Sequence, residues 1–107
     1  MPHYLIRASY TSESWANLIK NPQNRRETVG KVVEAAGGKL EAFYFAFGDD
    51  DAFVLVEMPD NASAAAISIA VAASGSLKST ATTVLMTAEE AMEAMKKAGG
   101  VAYRPPA

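Results

Sequence analysis

From Lys39 to Asp60 the chain reads KLEAFYFAFGDDDAFVLVEMPD, two apolar-rich runs on either side of Gly48-Asp49-Asp50-Asp51. This is the pattern of a strand, a tight acidic turn and a returning strand. Strict alternation in the first run puts Phe43, Phe45 and Phe47 on one face and Leu40, Ala42, Tyr44 and Ala46 on the other. In the second run Ala52, Val54, Val56 and Met58 point one way while Phe53, Leu55 and Glu57 point the other. Both faces of the hairpin are therefore largely apolar, and both need a cover.

The flanking segments supply helices and two further strands. His3 to Tyr10 alternates loosely and reads as a first strand. Thr11 and Ser12 offer hydroxyls to the free amides of a helix start, and Trp15, Leu18 and Ile19 follow at helical spacing. Asn21-Pro22 breaks that helix and restarts it, because proline suits a first helical position. Val29, Val32, Val33 and Ala36 then form one apolar stripe, ended by Gly37-Gly38. Beyond the hairpin, Asp60 and Asn61 cap a helix of small residues (Ala64, Ile67, Ala70, Val71, Ser74), which Ser74-Gly75-Ser76 closes. Lys78 to Met86 reads as the last strand. Thr87-Ala88-Glu89-Glu90 is a capping box opening a final helix, with Ala88, Ala91, Met92 and Met95 as its core stripe. Residues 98–107 form an extended tail that Tyr103 and Arg104 could lay across a neighbouring subunit.

The order β, broken α, β, β, α, β, α has a simple compact solution: an α+β, ferredoxin-like antiparallel sheet with helices on one face. At 107 residues the chain is read as a single domain over 1–107. Such a sheet leaves its other face bare, and here that face is apolar beyond what a soluble monomer tolerates. Each large side chain covered by a second sheet contributes on the order of 1.5–3 kcal/mol, so several offset an association cost of roughly 4–15 kcal/mol. A homodimer through the sheet face is the expected state.

Composition narrows the partners. Ten basic against twelve acidic residues leave a net charge of -2, without the basic excess that phosphate neutralisation needs, so nucleic acid is not an expected partner. The chain has no cysteine, which excludes thiol catalysis and thiolate metal sites. The charge-free run from Asn61 to Leu77 is too short and too rich in Ala and Ser to span a bilayer, and MPHYLIRASY lacks the uninterrupted apolar core of a secretory signal. No membrane association and a cytoplasmic location follow as expectations. No phosphate-binding glycine loop, nucleotide fingerprint or nucleophile elbow occurs.

Several short stretches together carry a resemblance: Asn21-Pro-Gln-Asn-Arg-Arg26, Gly37-Gly-Lys-Leu-Glu41, Phe47-Gly48 with Asp51, Val56-Glu-Met-Pro-Asp60 and Ala73-Ser-Gly75. In these the chain resembles the GYD-domain proteins, a bacterial and archaeal family named for a Gly-Tyr-Asp motif, from about Tyr4 to Arg104. It departs from the motif where Asp50 stands in the tyrosine position. The resemblance implies a dimeric α/β-barrel on a ferredoxin-like fold and carries no fixed activity. Relatives in the wider barrel class include cofactor-free oxygenases, isomerases and ligand-binding proteins.

Candidate chemistry is sparse. His3 is the only histidine, so neither a Ser-His-Asp triad nor a multi-histidine metal site can form within one chain. Glu57, set between apolar neighbours, is a candidate base; with Tyr44, and His3 or Arg7, it would line a pocket between sheet and partner. Phe53 would supply that pocket's apolar wall. The plainer readings are an exposed histidine at a strand start and a rim carboxylate satisfied by Arg7 or water. Asp49-Asp50-Asp51 lacks EF-hand spacing and reads as a turn, with no metal expected. Arg25 and Arg26 are either an anion contact or a solvated helix face. No cofactor is expected. The leading expectation is a small-molecule-binding or interaction module that homodimerises and holds a modest apolar ligand between sheet and helices. The alternatives are a cofactor-independent enzyme of oxygenase or isomerase type acting on a small hydrophobic substrate, and a purely structural dimer.

Overall fold

The strand-forming runs assemble into one four-stranded antiparallel sheet in a computed structural model that describes residues 1–107. In chain order the elements are β1 (His3–Tyr10), α1 (Ser12–Lys20), α2 (Arg25–Ala35), β2 (Lys39–Phe45), β3 (Ala52–Glu57), α3 (Asn61–Ala73), β4 (Leu77–Leu85) and α4 (Ala88–Ala98). The strand order β2-β3-β1-β4 is that of the ferredoxin-like fold. The broken helix of the sequence is two helices, with Asn24 rather than Asn21 capping the second through its side-chain oxygen on Arg26 N.

The sheet's sides are set by register. Tyr4 pairs with Val56, Ile6 with Val54 and Ala8 with Ala52, and these rungs face α2 and α3. Tyr4, Val33, Val54, Val56, Met58, Ala64 and Ile67 form the buried core there. Alanine at position 64 lets α3 approach closely, and the Tyr4 hydroxyl donates to Asn61 Oδ1, tying the central strand to the start of α3. Asp60 caps α3 by accepting from Ser63 N at 2.8 Å. The Ser63 amide and hydroxyl hold the Asp60 carboxyl below the usual carboxylate range. The cap's contribution is therefore present above the ordinary aspartate pKa and is lost as pH falls through the lowered one.

Three features depart from the sequence expectation. First, β2 is not a simple alternation: Leu40 pairs with Val56 but Ala42 pairs with Leu55, so Glu41 is an extra, bulged residue. The bulge moves Leu40 to the helix side with Phe43 and Phe45 and leaves Ala42 and Tyr44 on the other. Second, β2 stops at Phe45, and Phe47 is fully exposed at 104% rather than part of a face. The cause is Asp51, which draws the loop over β1: its amide donates to Ala8 O, its carbonyl accepts from Ala46 N, and its carboxylate accepts from Tyr10 N at 2.9 Å. Third, the Met92 and Met95 stripe is not core. Met95 is 70% exposed and α4 buries no residue.

Gly38, between α2 and β2, sits at the tightest backbone approach. A Cβ there would meet the Glu57 carbonyl oxygen and Met58 Sδ, each at 2.4 Å. At the far end of the helix side, Tyr10, Trp15 and Phe45 cluster, with the Tyr10 and Trp15 rings 5.2 Å apart edge to face. This contact seats α1, although Ile19 of the same helix stays exposed. No helix is long and apolar enough to cross a membrane.

Candidate functional site

Two places in this frame have chemistry to offer, one on each side of the sheet. The open side is organised in rungs. At one end His3 pairs with Glu57 across β1 and β3, and the bulge turns Glu41 toward them. His3 Nδ1 lies 3.1 Å from Glu41 Oε1, and Nε2 lies 3.8 Å from Glu57 Oε1. The imidazole thus stands between two carboxylates, close to Glu41 and farther from Glu57, and all three side chains are partly open to solvent. Their donor atoms lie within 4.8 Å of one another, and an imidazole with two carboxylates could also hold a divalent cation.

The middle rung is apolar: Leu5, Leu55 and Ala42, with Thr83 of β4 beside them. On the next rung Arg7 and Tyr44 flank Phe53, with Ala81 beyond. Arg7 Nη1 reaches Asp50 Oδ2 at 3.7 Å, so its acidic partner comes from the turn and not from Glu57. The sequence-predicted residues therefore share one face but fall into two groups. His3 and Glu57 are together; Arg7, Phe53 and Tyr44 are together; and three residues of β3 lie between Phe53 and Glu57, about 13 Å along the strand. Within one chain they do not close a single pocket.

The helix side holds a partly open cavity. A cavity of about 120 Å³ lies between the sheet and helices α2 and α3. Its walls are mainly apolar, among them Ile6, Val29, Val54, Ile67 and Val71, and its polar groups are Arg25, Thr28, Ser68, Ser76 and Thr80. Ser68 Oγ is engaged with Thr82 Oγ1 at 2.9 Å, and Ser76 Oγ with Ser74 Oγ at 2.8 Å. Thr80 Oγ1 is buried and has no partner. Buried hydroxyls are normally paired, and an unmade bond costs about 1–3 kcal/mol. The other buried side-chain polar atom left without a partner is Arg7 Nε, in the open-face group.

Sequence reasoning missed Thr80 and Glu41. Thr80 is one of several threonines in a strand, and only the register with Ala8 turns it toward the helices. Glu41 would alternate with Leu40 in an unbulged strand. Of the two arginines singled out, Arg25 lines the cavity, while Arg26 lies in a charged surface groove along α2.

Comparisons with known proteins bear on the family and the fold. Residues 4–95 match the GYD domain. No protein of curated function matches the chain. Among solved structures, that of FFRP-DM1 is similar with a TM-score of 0.54 at 16% identity, over 80% of this chain and 100% of that one. MtbAldR is similar with a TM-score of 0.59 at 15% identity over 80% of this chain, which spans about half (53%) of MtbAldR's length. The hypothetical protein PHS023 from Pyrococcus horikoshii gives a TM-score of 0.52 at 15% identity, over 81% and 92% of the two chains. At such identities the likeness shows the fold.

Proposed function

The chain belongs to the GYD domain family, and from that premise and the unpartnered Thr80 hydroxyl we propose a small-molecule-binding module that homodimerises through its open sheet face. The ligand is a compact apolar molecule carrying one hydrogen-bonding group, held between the sheet and helices α2 and α3. The observation that carries this reading is Thr80 Oγ1, buried and unpaired at the wall of a mainly apolar cavity of about 120 Å³. A bound molecule fills this space, and a turn of the Thr80 side chain gives its hydroxyl a partner there. The volume suits a single ring or a short branched chain. Support for the dimer comes from the apolar middle rung of Leu5 and Leu55 and from Tyr44, which stands exposed beside it on the same face.

Phenol and benzene are the discriminating probes, followed by thermal shift and by NMR titration of the amides around Thr80. Phenol is expected to bind about tenfold more tightly than benzene, the difference of one hydrogen bond. Thr80→Val should erase that preference, and Val71→Phe, which fills the cavity, should abolish binding of both while the chain stays folded. Absence of any shift with either probe, or binding that survives Val71→Phe, removes the cavity as the ligand site.

The second reading, a cofactor-independent enzyme, is favoured by one observation, the His3 imidazole held between Glu41 and Glu57 on the open face. Glu57→Gln separates the two readings, because it disables a base at that position and leaves phenol binding on the other side of the sheet untouched.

A further inference from the structure

The chain exposes 7435 Å², about 1,700 Å² more than the ~5,700 Å² of a compact monomer of the same mass. Its radius of gyration is 17.2 Å, against about 13 Å for a compact domain of this length. Much of the excess lies at α4 and the residues after it, where Met92, Met95, Val101 and Tyr103 are all exposed. An isolated helix of this length is marginal in water. Its capping box, Thr87 Oγ1 accepting from Glu90 N while Glu90 Oε1 accepts from Thr87 N, secures the first turn and does not replace a packed face. The stripe of Ala88, Ala91, Met92 and Met95 needs a surface.

Its own sheet is poorly placed to provide one. Only Met86 and Thr87 lie between β4 and α4, neither is glycine, and Thr87 is fixed by both arms of the capping box. In this arrangement α4 buries no residue against its own sheet. A lipid surface does not fit either, since Glu89, Glu90 and Glu93 outnumber Lys96 and Lys97 on this helix. The area points to a second copy: roughly 1,700 Å² of surplus surface on each chain gives about 3,400 Å² for a pair, within the range of obligate homodimers.

We propose that α4 is exchanged between two copies, the Ala88, Ala91, Met92 and Met95 stripe of each chain packing beside Ala81, Thr83 and Leu85 at the β4 margin of the other's open face. The inference rests on the homodimer reading above and adds to it an arm that each subunit lends. Exchange of one element across a short connection is a low-cost route to a two-fold pair.

Since the chain has no cysteine, single thiols report this arrangement cleanly. Full-length chains carrying Met92→Cys and Thr83→Cys are mixed, refolded together and treated with a short bifunctional thiol crosslinker. Covalent heterodimer is expected at least tenfold above the level given by Met92→Cys with Thr82→Cys, whose side chain lies on the helix side. The double variant Met92→Lys/Met95→Lys is expected to weaken dimerisation at least tenfold while its strand content and melting cooperativity are kept. A chain carrying both Met92→Cys and Thr83→Cys that crosslinks within itself and migrates as a monomer shows α4 folded on its own sheet and overturns the exchange. Sedimentation of the unmodified chain separates the two ideas: a dimer without the crosslink sinks the exchange alone, and a monomer sinks both.

Discussion

Gly38→Ala is expected to destabilise the chain by about 3 kcal/mol, at the upper end of what forced overpacking costs. The added carbon would lie 2.4 Å from the Glu57 carbonyl oxygen and 2.4 Å from Met58 Sδ. The first of these is backbone of β3. The second belongs to a methionine that is fully buried in the core, so its escape is limited by its neighbours. Relief would require β2 and α2 to move apart from β3, uncovering Val33 and Val56, which are also fully buried. Urea denaturation measures this as a lowered midpoint at unchanged slope. Gly48→Ala is the control, because a Cβ at Gly48 meets nothing within 4 Å. A Gly38→Ala variant within 0.5 kcal/mol of the parent would show that the close approach does not exist in solution.

In the homodimer proposed above, Leu55→Lys is expected to raise the dissociation constant by about 100-fold or more. Leu55 stands at the centre of the open face, between Leu5 on β1 and Ala42 on β2. In a single chain this position is only half-buried, so lysine can lie along the sheet with its ammonium in water and leave monomer stability within about 0.5 kcal/mol. Between two stacked sheets the same ammonium would be stripped of water with no carboxylate beside it. Sedimentation across a concentration series reads the change, and circular dichroism shows whether the fold is kept. An unchanged dissociation constant would remove the open face as the proposed interface.

Much of this molecule can be read from its residues because local signals agree with the final packing. The capping box at Thr87 and Glu90 forms as its spacing predicts, and the runs flanking the acidic turn become the β2-β3 hairpin. What could not be read arises from relations between segments. An inserted residue leaves no mark in a count of alternating positions, so the Glu41 bulge and the true side of Leu40 were invisible. Cavities have no sequence signature; this one follows from how α2 and α3 seat on Ile6 and Val54. The grouping of His3 with Glu57, and of Arg7 with Phe53 and Tyr44, depends on strand register. Met92 and Met95 illustrate a different limit: amphipathic spacing reveals that a helix side seeks a cover and says nothing about which chain supplies it.

The bulge also makes β2 a strand read in two frames. Before Glu41 the even-numbered Leu40 faces the helix side, and after it the odd-numbered Phe43 and Phe45 do. A chain shortened by that single residue must either expose Leu40 or swing both phenylalanines to the outside, whereas loss of a residue from the loop between Ala46 and Gly48 asks only for a tighter path. Length variation along this hairpin is thus expected to concentrate in its tip.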